Sequence, residues 1–119
     1  MLQSYSEMGR RNLLVGKNRD RVRIIGDILE AAAPGASKTR IMLSARLSFA
    51  LLEKYLNLVT ESGFVRVEDF RYRLTERGRE FLKQYRSFED RYTKARMLLE
   101  TLSSEREQLS RVITGNHPT

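Results

Sequence analysis

From Asp20 onward, apolar residues recur at the spacing of one helical face: Val22, Ile25, Ile28, Leu29 and Ala32. Asp20 stands where an N-cap belongs, and Pro34-Gly35 ends the segment. A second, shorter helix is predicted after Ser37, whose hydroxyl caps it, with Ile41, Met42 and Ala45 turned inward. Ser48 introduces a third helix over residues 49–62, where Leu51, Leu52, Tyr55, Leu56, Leu58 and Val59 are apolar, and Gly63 takes the C′ position. There the period changes to two. Val65 and Val67 alternate with Arg66 and Glu68, and Tyr72 and Leu74 with Arg71 and Arg73, around a short break at Asp69-Phe70. This predicts a small hairpin with one buried face.

Thr75 caps the last predicted element, which meets no proline before Pro118. Within it Phe81, Tyr85, Phe88, Tyr92, Ala95, Leu99, Leu102, Arg106, Leu109 and Ile113 advance by alternating steps of four and three. That is an a/d heptad frame with one polar member, Arg106. A helix over residues 75–113 spans roughly 55 Å and cannot fold back on a domain of this size. Its seam needs another helix, most simply a second copy of itself. In a parallel pair Arg106 faces its own copy, and Arg91 stands against Arg96. An antiparallel pair centred near Met97 sets Arg106 across from Phe88, Arg91 near Glu105, Tyr85 by Leu109 and Phe81 by Ile113.

Three helices followed by a hairpin, over residues 20–75, is the element order of a winged helix, with a helix-turn-helix whose turn lies at residues 46–48. In DNA-binding versions the N-terminal half of the third helix enters the major groove. With Leu52, Tyr55, Leu56 and Val59 inward, the outward face carries Phe49, Ala50, Glu53, Lys54 and Asn57. Ser48, Lys54 and Asn57 reach base edges or phosphates, and Phe49 or Ala50 meets a thymine methyl. Phe49 has a second reading, as a staple onto the preceding helix. Glu53 repels phosphate, so it faces bases or Lys54, or lies off the contact surface. Lys38 and Arg40 fall in the first turn of the second helix and Arg46 in the turn after it, a set suited to phosphate. Arg66, Arg71 and Arg73 flank the hairpin tip, where Asp69 favours phosphate contact over deep minor-groove insertion.

The chain of 119 residues holds 22 Lys/Arg against 15 Asp/Glu, a net charge of +7 that favours anionic partners. The excess is uneven: residues 1–75 carry 13 basic against 8 acidic side chains, and residues 76–119 carry 9 against 7. Residues 1–19 mix polar and basic positions with Gly9 and Gly16. They read as a flexible arm on which Arg10, Arg11, Lys17 and Arg19 follow bound DNA.

Other chemistry finds few candidates. Cysteine is absent, which excludes disulfides, thiolate zinc sites and thiol nucleophiles. The single histidine, His117, lies near the C-terminus. Gly16-Lys17 lacks the spacing of a phosphate loop, and no G-x-G-x-x-G occurs. Residues 1–16 show neither the basic start nor the apolar run of a signal peptide, and no stretch approaches the ~20 apolar residues of a membrane span. No cofactor, metal or small-molecule ligand is expected, and no enzymatic activity.

Three stretches together resemble a known family: Gly35-Ala36-Ser37-Lys38-Thr39-Arg40-Ile41-Met42, Leu47-Ser48-Phe49-Ala50-Leu51 and Tyr72-Arg73-Leu74-Thr75-Glu76-Arg77-Gly78. They look like the small archaeal winged-helix chromatin proteins of the ten-kilodalton "a" class, first known from Sulfolobus. The resemblance covers residues 19–113. It implies a homodimer joined by an antiparallel coiled coil that binds duplex DNA with little sequence preference. The arm before Arg19 is longer than in that pattern, and the hairpin tip lacks glycine.

The expected protein is mainly α with a small β-hairpin. A basic arm (1–19) precedes a winged helix-turn-helix (20–75), a coiled-coil dimerisation helix (76–113) and a disordered tail (114–119). Its seam is Phe81, Tyr85, Phe88, Tyr92, Ala95, Leu99, Leu102, Leu109 and Ile113. The expected role is homodimeric binding of double-stranded DNA in chromatin organisation or transcription regulation, in the cytoplasm on the nucleoid. The alternative is a winged-helix scaffold that binds protein and is assembled by its coil.

Overall fold

The computed structural model describes residues 19–115. Its elements are α1 (Arg21–Ala32), α2 (Lys38–Ala45), α3 (Phe49–Glu61), β1 (Val65–Glu68), β2 (Arg71–Leu74) and α4 (Glu76–Ile113). The order is that of a winged helix with a long terminal helix. The chain divides after Lys83 into two compact units.

In the first unit each of the first three helices starts on a side-chain cap. Asp20 accepts from the Arg23 N–H at 2.8 Å, Ser37 from Arg40 at 3.2 Å and Ser48 from Leu51 at 3.2 Å. These caps satisfy donors that a helix start otherwise leaves open. The core is built from Ile24, Ile25, Ile28, Leu29 and Ala32 of α1, Ile41 and Ala45 of α2, Leu47, and Leu52, Tyr55, Leu56 and Val59 of α3. It is completed by Val65, Leu74 and Leu82. Val22, expected on the buried face of α1, is exposed, and Ile24 takes its place. The remaining expected positions, Ile25, Ile28, Leu29 and Ala32, are all buried, so only the first position of the stripe differs.

The hairpin pairs Val65 with Leu74, Arg66 with Arg73, Val67 with Tyr72 and Glu68 with Arg71. Its apolar face is buried only at the root. Val65 and Leu74 are covered, whereas Val67, nearer the tip, is 53% exposed. A further link ties the hairpin to the α1–α2 loop: Ala36 and Tyr72 exchange both backbone hydrogen bonds, at 3.1 and 2.7 Å. β2 is thus held on both edges, by β1 and by Ala36.

The start of α4 shows why the stretch Leu74–Gly78 has its composition. The Thr75 hydroxyl donates to the Gly63 carbonyl at 2.5 Å and accepts from the Gly78 N–H at 3.0 Å. The Thr75 N–H donates to the Phe64 carbonyl. Gly78 passes so close to that carbonyl that a Cβ there would lie 2.0 Å from its oxygen. The Phe64 ring meets Phe81 with centroids 4.7 Å apart, and Arg77 lies over it at 5.5 Å. Phe81, read as the first residue of the dimer seam, is therefore already engaged within the winged helix.

In the second unit α4 continues to Ile113. Tyr85, read like Phe81 as part of the dimer seam, is already buried within the single chain, and the Phe88 and Tyr92 rings lie tilted with centroids 5.7 Å apart. Further along, Leu99, Leu102, Leu109 and Ile113 are between 50% and 83% exposed. Leu98 and Val112, beside them in the heptad frame, are exposed too.

Candidate nucleic-acid interface

The outward face of α3 is as the spacing placed it. Phe49, Ala50, Lys54 and Asn57 are all exposed. Phe49 is 62% exposed and meets α2 through the Lys38 ammonium rather than through an apolar staple. Lys54 holds its ammonium 5.4 Å from the Tyr55 ring. Ser48 spends its hydroxyl acceptor on the α3 cap and keeps its own O–H free to donate.

Glu53 does not pair with Lys54. It hydrogen-bonds the Lys38 ammonium, which also lies 5.3 Å from the Phe49 ring. Lys38 was expected on the phosphate surface; its ammonium is paired at that surface with Glu53 of the same chain. The reason is geometric: the helix-turn-helix brings Lys38, at the start of α2, against Phe49 and Glu53 of α3.

Arg19 is placed differently from its expected position on the arm. Its guanidinium donates to Asp27 at 2.7 Å and to the carbonyls of Ala45 and Arg46 at 2.6 and 2.7 Å. The side chain is 14% exposed. Planar and forked, it bridges α1 to carbonyls that the end of α2 leaves without helical partners. Arg10, Arg11 and Lys17 lie outside the described residues.

The hairpin arginines separate into two groups. Arg66 and Arg73 both address Glu68, at 3.1 and 3.5 Å, which relieves the like charges set opposite each other in the ladder. Arg73 also covers Gly35, whose φ is +82° and where a Cβ would meet the guanidinium at 2.6 Å. Arg71 instead reaches 3.5 Å from the Gly35 carbonyl, beside the start of α2. Phe70 follows Asp69 at the tip and is 92% exposed. The sequence reading passed over it. The signal was available, because the alternation leaves only Asp69-Phe70 between the strands, and a phenylalanine is out of place in so tight a loop.

Arg40, Arg46 and Arg71 come together along one open groove of about 960 Å³, lined also by Arg23, Asp27, Glu30, Ser37 and Ser44. Arg46 enters from a left-handed backbone, φ 54°, that ends α2. With Asp27 matched by Arg19, cationic groups dominate this concavity. It borders the N-terminus of α2, where aligned peptide dipoles favour an anion. Sequence order alone put Arg71 with Arg66 and Arg73. The Ala36–Tyr72 bridge moves it to α2.

Among the described residues, no cluster of acidic, histidine or cysteine side chains is arranged to hold a metal ion. No described helix is long and apolar enough to cross a membrane.

No curated protein matches this chain. Among solved structures, it is similar to Sso10a-2, described as a DNA-binding protein from Sulfolobus solfataricus, at 26% identity and a TM-score of 0.55, over 79% of this chain and 96% of that one. This agrees with the resemblance read from the three motifs. A MarR family protein of Mycobacterium tuberculosis shares the fold at 18% identity and a TM-score of 0.56, covering 95% and 88% of the two chains. Lactococcus lactis ZitR does so at 17% and 0.55, covering 84% and 76%. A family model described as winged helix-turn-helix matches residues 18–93, which take in the caps, the helix-turn-helix, the bridged hairpin and the first half of α4. The chain belongs to the winged helix-turn-helix family.

Proposed function

We propose that this protein binds double-stranded DNA as a homodimer, chiefly through phosphates, in chromatin organisation or transcription regulation. The observation that carries the reading is the convergence of Arg40, Arg46 and Arg71 on one groove beside the α2 N-terminus. The exposed face of α3, with Lys54 and Asn57, stands on the same helix-turn-helix. Phosphates enter the arginine groove while α3 lies in the major groove. The Sulfolobus relative, described as DNA-binding, supports this assignment. Arg10, Arg11 and Lys17 of the arm add sequence-independent affinity.

The second copy pairs with α4 antiparallel and centred near Met97, Leu99 opposite Ala95 and Leu102 opposite Tyr92, within an exposed stripe that continues through Leu109 and Ile113. Single-chain exposure of so many large apolar residues on one helix supports a helical partner.

Binding of the full chain to random duplexes across a salt series tests the reading. Affinity should fall steeply with salt, and Arg40→Ala with Lys54→Ala should lower the log–log slope by about two and weaken all sequences alike. A double variant with unchanged affinity would remove DNA from this surface. Salt-insensitive binding to another protein would favour the scaffold reading.

A further inference from the structure

The hairpin closes through Asp69 and Phe70 alone, with φ of 51° and 63°. A two-residue loop of this form asks both positions for left-handed backbone, which is why Asn-Gly and Asp-Gly dominate such loops. Asp69 suits the first position. At the second, a phenylalanine occupies a region that bulky L residues rarely adopt. Its ring is 92% exposed, so packing among the described residues does not offset that strain. The same position thus combines an unfavourable backbone with an unfavourable exposure. Strained residues of this kind persist where function uses them.

The surroundings say what the ring meets. Arg71 follows it and leads into the arginine groove beside α2, to which β2 is tied through Ala36 and Tyr72. Arg66 and Arg73 lie on the same hairpin, sharing the one carboxylate of Glu68 between two guanidiniums. A single apolar ring at the tip of an arginine-bearing hairpin suits a base step flanked by phosphates, where apolar wedges partly unstack two base pairs. Resting on the DNA-binding reading above, we propose that Phe70 is such a wedge, entering the minor groove at the wing tip and partly separating two stacked base pairs. Asp69 works against it, because its carboxylate approaches the same phosphates. The Asp69→Asn change keeps a residue that tolerates left-handed backbone and should tighten binding.

The test uses the full chain and random duplexes carrying 2-aminopurine, whose fluorescence rises on unstacking. The wild-type protein should raise that signal. Phe70→Gly fits the turn, so its thermal midpoint should equal or exceed the wild type, while the signal is lost and affinity falls about tenfold. Phe70→Met, which restores an apolar wedge, should recover most of both. If the wild type binds with steep salt dependence yet gives no rise, or Phe70→Gly matches it in affinity and signal, the wedge is wrong and the DNA reading stands. If the wild type fails to bind duplex DNA, both fall.

Discussion

Arg19 illustrates how one side chain changes meaning once its partners are known. Its guanidinium satisfies Asp27 and two carbonyls at the end of α2, a set of charge-assisted bonds in a largely covered place. Replacing it by alanine strands the Asp27 carboxylate, 28% exposed, and reopens both carbonyls. The expected loss is about 2 kcal/mol, since hydrogen bonds to charged groups contribute more than neutral ones. Thermal unfolding should show a drop of several degrees, with Arg19→Lys recovering only part because an ammonium lacks the fork. An unchanged midpoint with weakened DNA binding would return Arg19 to the nucleic-acid surface. Lys38 makes the same point more mildly: its exposed ion pair with Glu53 contributes little stability, and a phosphate would have to compete with that carboxylate for its ammonium.

Between elements, the junction of hairpin and last helix is closely constrained. Thr75 caps the helix and grips Gly63, while Gly78 slides beneath the Phe64 carbonyl. Any side chain at position 78 drives a carbon into backbone, which cannot move aside as a flexible side chain does. Gly78→Ala should therefore cost about 3 kcal/mol, the upper end of overpacking, despite alanine's better helix propensity. Urea unfolding would measure it. A midpoint equal to or above the wild type would mean the helix start shifts freely and the contact is unimportant. The bridge between Ala36 and Tyr72 acts at the same level: it carries Arg71 away from the other hairpin arginines and sets it beside α2.

For the assembled protein, the exposed stripe on α4 decides the oligomer we propose. Placing charge in it, through Leu99→Glu with Leu102→Glu, should yield monomers in sedimentation equilibrium while the winged helix stays folded by circular dichroism. Pairing direction is best read at solvent-facing positions, because Phe81 is already packed on Phe64. Spin labels at Ser87 and Glu107 should report a short distance from one to the other across the dimer and a long Ser87 to Ser87 distance. A short distance between the two Ser87 labels would establish a parallel coil. Antiparallel pairing would place the two DNA-binding units at opposite ends of the paired helices, suited to separate segments of duplex.

The element order, the caps at Asp20, Ser37, Ser48 and Thr75, the glycine stop at Gly63 and the long heptad helix were all legible in the chain. Each depends on residues within a turn or two of one another, so spacing and side-chain chemistry suffice. The buried face of α1 was legible at Ile25, Ile28, Leu29 and Ala32 and missed only at its start, where Ile24 rather than Val22 is covered. Which charges remain free was not legible. Lys38 finds Glu53, Arg19 finds Asp27 and the end of α2, and Arg66 and Arg73 share Glu68. Such choices follow from how helices cross and how strands register, because an ion pair forms between whichever heads the folded backbone brings within reach. The grouping of Arg40, Arg46 and Arg71, and the projection of Phe70 from a two-residue loop, arise in the same way. Local periodicity names the elements, whereas the chemistry of the surface belongs to contacts between residues far apart along the chain.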